Sequence, residues 1–545
     1  MSAQAPVYAI WRNPLFVKGR RQRLRWRSLA TWALVVLTIT SFIFLITFFP
    51  TFTRMRETEL AARMTVIPLL VVQGVLLMLM GTGAIASGIA SERDSGVFDY
   101  QRLTPMSPAR KILGYLFGLP AREWLLFAMT LPFTLFSIVA GNISLVSMAN
   151  IYLIFISSVL LYHLTGMTAG MVSSKPRLAA MLSQGMVLTL YLLLPLLSNL
   201  GFTLFEYLTV RPVVKSMLGE MLIEMGQRSA GWLIQYGGVR FFTFELHPTV
   251  YSLMMQGLCI VAFLTAVHRR WRRHDANIFG RRFALGFVIG LQVVLIGTLW
   301  PQFTGERFSA ELMREIAEEF GMAGTALLSV YVWAMLAAIT AALLVHLTTP
   351  TVHGYRRGLR RAWKLGRSRL PLTHDNAPTL PMASGLAAVL VVGYLLTMQP
   401  VFGLDEVFQQ GPGLARASVI PLMLVGMTIY LAAVRLRFGP RGLFLTIFIL
   451  WVIPLMAFAV MTATRDALRV PGYYIAAPSP AAQLAYGVLY LFDFRSPVTS
   501  VDLSRFPGLS WFAALFNAGL AAVMAWEWRR WKRLTHAQEH ARRTS

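Results

Sequence analysis

A chain of 545 residues with 56% apolar and only 14% charged side chains carries more apolar surface than a soluble fold of its size can bury, so its solvent is expected to be lipid. The composition excludes intrinsic disorder and a coiled coil, and the single cysteine, Cys259, excludes an intramolecular disulfide and a cysteine metal cluster. The net charge of +26 would suit nucleic acid, but the placement of the basic residues assigns it to membrane topology, and no nucleic-acid partner is expected.

Residues 1–28 form a basic segment that is not a cleavable signal, because the apolar run behind it is too long and lacks a small-residue cleavage pattern. Within it, Pro14–Arg27 mixes Leu15, Phe16, Leu24 and Trp26 with six basic residues. That pattern reads equally as a helix lying on an anionic inner leaflet or as a plain charge cluster. Twelve apolar runs follow, near the length that crosses a hydrocarbon core of roughly 30 Å. They lie at about 29–49, 65–88, 124–140, 147–171, 179–202, 249–267, 284–300, 323–347, 383–399, 417–434, 442–462 and 508–527. Ala482–Phe492 is too short to span and reads as a re-entrant or interfacial piece. With both termini cytoplasmic, 36 of the 50 basic residues fall on the inner side and 16 of the 24 acids on the outer side, as retention of short positive loops requires. The expected fold is therefore an all-α polytopic membrane protein of about twelve transmembrane helices in two six-span halves.

The organisation reads as a first half over 29–275 with an inner loop at 89–123, two further spans and a long basic inner loop over 276–382, four spans over 383–527, and a basic tail over 528–545. The basic run His268–Arg273 closes the first half and Trp528–Arg533 closes the second, and Lys175-Pro176-Arg177 is echoed by Gly439-Pro440-Arg441. No Asp, Glu, Lys or Arg falls well inside a run, although Arg122 and Glu123 stand at the mouth of the third. Gln73, Asn150, His163, Gln184, Gln292 and His346 are expected to hydrogen-bond between helices. Gly81, Gly83 and Gly88 mark a helix-packing seam on the second span. Prolines 68, 132, 195, 421 and 454 are expected to kink their spans. Glu311, Glu315, Glu318 and Glu319 in an outer loop read as a solvated helix face and not as metal ligands. The longer outer loops 203–246 and 463–507 carry no motif that fixes a role.

The most informative stretch is the inner loop from Glu92 to Lys111. A membrane helix ends in a charged turn, and Gly96 permits a bend. Val97, Phe98, Gln101 and Leu103 are expected to form one side of a short helix. Thr104-Pro105 ends that helix, and Ser107-Pro108 caps and starts the next.

These residues resemble the loop of type-two ABC exporter permeases, whose pattern is Glu-Arg-Glu-x-Gly-Thr followed by a leucine-rich turn and Thr-Pro-Leu-Ser. Glu92, Arg93, Gly96, Leu103, Thr104, Pro105 and Ser107 match, whereas Asp94, Val97 and Met106 replace a glutamate, a threonine and a leucine. Asn13-Pro14 through Lys18 is also similar to an opening found in that family. The second half has no copy of the glutamate motif. The resemblance implies a permease subunit of a bacterial inner membrane whose ATP is bound and hydrolysed by a separate subunit. By position, Glu92, Arg93, Asp94, Gly96, Leu103, Thr104, Pro105, Ser107 and Pro108 would couple to that subunit. A homodimer or a second permease is left open as a further partner.

A P-loop needs a lysine directly after glycine, and none of the six lysines (18, 111, 175, 215, 364 and 532) has one, so the chain is not expected to be an enzyme or to hold a cofactor. An ion-coupled secondary transporter is the runner-up reading. An intramembrane lipid-modifying enzyme is the third, and it lacks a His/Asp/Glu cluster.

Overall fold

The computed structural model describes residues 10–173, 175–193, 203–224, 238–273, 276–304, 311–367, 370–377, 379–403, 413–464, 468–492 and 506–544. The chain divides into two compact units, one made almost entirely of residues before Asp275 and the other of those from Asp275 on. Among the described residues ten helices are long and apolar enough to cross a membrane, and the only strands are the short pair Val239–Phe241 and Phe244–Leu246. The chain is an all-α polytopic membrane protein.

In unit 1, α1 (Pro14–Arg23) precedes α2 (Trp26–Met55), and α3 (Thr58–Gly74) runs through a π turn, Val75–Gly81, into α4 (Thr82–Asp94). Two short helices, α5 (Val97–Leu103) and α6 (Pro108–Gly118), lead to α7 (Ala121–Ala140), α8 (Leu145–Val172), α9 (Pro176–Leu192), α10 (Arg211–Glu224) and α11 (Pro248–Arg272). The apolar faces explain the packing. Helix α2 leaves Leu34, Ile39, Phe42, Ile46 and Phe49 exposed, as lipid contact requires, whereas α3 and α8 bury Val66, Leu69, Ile151, Ile154 and Phe155. Polar residues tie the helices together where apolar packing has no preferred register. Gln73 donates to Thr130 (3.1 Å) and Thr134 (3.0 Å) of α7 and accepts from Tyr152 (2.9 Å) of α8.

The π turn has a visible cause. A π turn shifts the intrahelical hydrogen-bond register and frees carbonyl oxygens. Two neighbours take them up: the Leu77 oxygen accepts from His163 Nε2 at 2.9 Å, and the Leu79 oxygen accepts from Gln184 at 3.4 Å. The same side chains fill the space left by glycine. A Cβ at Gly81 would come within 2.7 Å of His163, one at Gly83 would overlap Gln184, and one at Gly88 would meet Leu119 at 2.9 Å.

In unit 2, α12 (Arg281–Phe303), α13 (Glu311–Thr348), α14 (Val352–Lys364) and α15 (Leu380–Phe402) are followed by α16 (Leu414–Ile447), the π turn Phe448–Val452 and α17 (Ile453–Thr464). The chain ends with α18 (Arg469–Ala476), α19 (Pro480–Phe492) and α20 (Phe506–Thr544). The tenth and eleventh apolar runs, expected as two spans around a loop at 435–441, form one helical stretch from Leu414 to Thr464. It is broken only at Gly439, whose φ of 74° and ψ of −168° no ordinary side chain adopts and whose successor is Pro440. The fifth run is helical over Pro176–Leu192, and its remainder, with Pro195, lies outside the described residues. Ala482–Phe492, read as an interfacial piece, is a helix with Leu484, Val488 and Leu491 buried. The outer-loop glutamates 306–319 also lie outside the residues whose side chains are described.

Each unit pairs its helices in the same order. In unit 1, α2 packs on α3 and α7, α4 on α8, and α8 on α11; in unit 2, α12 packs on α13 and α15, α13 on α16, and α16 on α20.

Candidate functional site

The stretch from Glu92 to Gly118 folds as a helix end, a short helix, a break and a second short helix. Helix α4 terminates when Ser95 N donates to Ser91 O at 3.0 Å and Gly96 turns left-handed at φ 74°. Only glycine takes that conformation without strain. Helix α5 stops at Thr104, held extended (φ −67°, ψ 143°) by the proline that follows, and its hydroxyl donates back to Gln101 O at 2.6 Å. Ser107 then caps α6 by accepting from Arg110 N at 3.4 Å, with Pro108 in the first turn.

Glu92 is the hub of this elbow. Its side chain is 15% exposed, one oxygen accepts from Lys18 of α1 at 2.8 Å, and the other accepts from Gln101 of α5 at 2.9 Å and from the Tyr115 hydroxyl of α6. Tyr115 also donates toward Gln101. Four elements therefore meet at one carboxylate. Burial, reinforced by the Glu92 charge, raises the Tyr115 hydroxyl well above its ordinary value, so it remains a donor.

Lys111 answers the other end of α5. Its ammonium group donates to Gln101 O at 2.6 Å and to Thr104 O at 3.3 Å, two of the carbonyls that a helix C-terminus leaves unpaired. Burial lowers its affinity for the proton. Beneath both helices lies Trp271, from the last turns of α11, with Phe98 at 4.3 Å and Tyr115 at 5.6 Å between ring centroids. Helix α1 closes the far side: Asn13 donates to Arg110 O at 2.6 Å, and the backbones at Gly19 and Gly118 touch.

The sequence residues fall into distinct roles. Arg93 donates to Met171 O at 2.7 Å and ties the elbow to α8. Gly96, Thr104, Ser107 and Pro108 shape the backbone, whereas Asp94 and Pro105 lie on the surface. Val97, Phe98, Gln101 and Leu103, expected on one side of α5, are split: Phe98 and Gln101 are buried, whereas Leu103 points outward at 83% exposed and Val97 is also exposed. With the buried stripe at positions 98 and 101, positions 100 and 103 fall on the opposite face of α5 and Val97 lies at the edge of the stripe. Tyr100, 70% exposed, completes that outward apolar face. Sequence reasoning did not reach Lys18, Gln101, Tyr115 and Trp271 as partners, since they lie at separations of 9 to 179 residues from Glu92.

Glu123 stands at the mouth of the third span as expected, in the first turn of α7, where it is 0% exposed and held by Arg122 at 2.7 Å. Arg435, placed in an inner loop, continues the helix of the tenth run and is buried. Among the described residues no group of three His, Cys, Asp or Glu side chains is arranged to hold a metal ion.

No family model, no curated protein and no solved structure matches this chain.

Proposed function

We propose that the chain is the membrane permease of an exporter driven by a separate nucleotide-hydrolysing subunit, and that the elbow at 92–118 is the element through which the drive enters. The observation that carries this reading is the combination of an elbow braced by the hydrogen bonds at Glu92 and Lys111 with an exposed apolar face at Val97, Tyr100 and Leu103. A surface that is fixed by its own hydrogen bonds moves as a body when a partner pushes it. Because Glu92 joins α1, α4, α5 and α6, and α4 packs against α8 and α9, such a push reaches the bundle of unit 1. In this reading the chain has twelve spans in two six-span halves, both termini are cytoplasmic, the membrane is a bacterial inner membrane, and ATP binds to the partner alone. The partner's nucleotide states bias the bundle by their differential affinity for its conformations.

The test is purification from native membranes with and without Glu92→Gln. A nucleotide-hydrolysing polypeptide is expected to accompany the wild-type protein and to be reduced with the variant. Absence of such a partner from the wild-type preparation contradicts the reading.

One observation favours the runner-up, an ion-coupled transporter: Glu123 is a fully buried carboxylate at the first turn of α7, and its Oε2 has no hydrogen-bond partner. Transport that stops with an uncoupler while ATP stays high, and that Glu123→Gln abolishes, would replace the permease reading.

A further inference from the structure

The buried cations of unit 2 are answered in different ways. Arg281, at the start of α12, donates to Leu372 O at 3.0 Å and Ala377 O at 2.5 Å, with Asp375 in electrostatic reach. Arg435 has no such answer. It is 7% exposed in α16, the helix that packs against α13, and neither its Nε nor its Nη1 has a hydrogen-bond partner. Among the described residues no carboxylate forms an ion pair with it.

A guanidinium cannot shed its proton under any physiological condition, so burial does not neutralise it as it would a lysine. A buried charge left unpaired is costly, and in a membrane chain it marks a place where an opposite charge comes and goes. The neighbourhood fits one kind of visitor. His346 of α13 lies close enough to Arg435 for their charges to interact, and its Nδ1 has no partner. A planar fork of N–H donors with an imidazole beside it is a donor set that a phosphate takes.

We propose that Arg435 of α16, with His346 of α13, binds a phosphate group where the two helices pack. That group belongs either to an anionic phospholipid headgroup or to a phosphate-bearing solute. The site lies wholly within unit 2 and stands whether or not the elbow of unit 1 docks a hydrolase.

The test compares thermal unfolding of the full-length wild-type protein with that of Arg435→Met. In one arm inorganic phosphate is titrated into phosphate-free detergent solution, and in the other the protein is moved from phosphatidylcholine to phosphatidylglycerol nanodiscs. The wild-type midpoint is expected to rise in at least one arm, and the arm that responds identifies the source of the phosphate. Arg435→Met is expected to show no rise. If that variant does not fold, Arg435→Lys replaces it, keeping the charge without the fork and weakening the response by about tenfold. A wild-type protein that responds in neither arm, or a variant that responds as strongly as the wild type, overturns the proposal.

Discussion

The elbow of unit 1 and the region 351–377 of unit 2 follow the second helical run of their units, and each rests on a tryptophan of its unit's last long helix. Trp271 lies under Phe98 and Tyr115, and Trp531 lies 5.5 Å from Tyr355. The faces they present differ. In unit 1 the hub is a carboxylate, Glu92, and the outward side carries Tyr100 and Leu103. In unit 2 the corresponding helix, α14, is held by Arg360, whose guanidinium grips Glu539 of α20 at 2.6 and 3.0 Å, and its outward side carries Arg357, Arg361 and Lys364. The same aromatic support thus serves an apolar surface in one unit and a basic one in the other. The lesson is that what the two units share is the way each loop is held, while the chemistry each offers a partner is free to differ.

The comparison breaks first at the tryptophans. Trp271→Ala removes a ring packed against two aromatic partners and is expected to cost about 3–5 kcal/mol of stability, read as a fall in the unfolding midpoint in detergent. Trp531→Ala, which loses the ring contact with Tyr355 besides its apolar neighbours, should cost less. Equal losses would mean that the two supports are not built as described. Next comes the hub. Glu92→Leu leaves Gln101 and Tyr115 with unmet donors and should cost about 1–3 kcal/mol and open 92–118 to proteolysis. Arg360→Ala should change the midpoint least among the hub variants, because its guanidinium is largely in solvent.

Smaller effects sharpen the backbone argument. Gly96→Ala meets open space but must hold φ at 74°, so it should lose about 1 kcal/mol from conformation alone. Ser107→Ala should lose about 1 kcal/mol by removing the cap of α6, again read from the unfolding midpoint. A neutral result at Gly96 would show that the turn relaxes, and the rigidity assigned to the elbow would then fail.

The parts of this architecture that were legible in the sequence are those set by local rules. Apolar runs of span length, the glycine at 96, the residue before Pro105 and the cap at Ser107 each act within a few residues, and each stands where the pattern placed it except the fifth, tenth and eleventh runs. What was hidden depends on distant partners. Nothing in Val75–Gly81, an unbroken apolar run and a glycine, announces a π turn; His163 and Gln184, far along the chain, receive its carbonyls. Arg435 was read as loop because a charge ends a hydropathy run, yet the helix continues through it to Gly439. Leu103 was grouped with Phe98 and Gln101 because it is apolar, but the buried stripe is set by Phe98 and Gln101 over Trp271, and Leu103 falls outside it.

The most direct measurement is photocrosslinking in native membranes from a benzoyl-phenylalanine placed at position 103, the most exposed apolar residue of the elbow. The account predicts an adduct with a nucleotide-hydrolysing polypeptide, reduced when Glu92→Gln is introduced as well. An adduct with lipid alone, or labelling of position 103 by an impermeant reagent added outside intact cells, would contradict it.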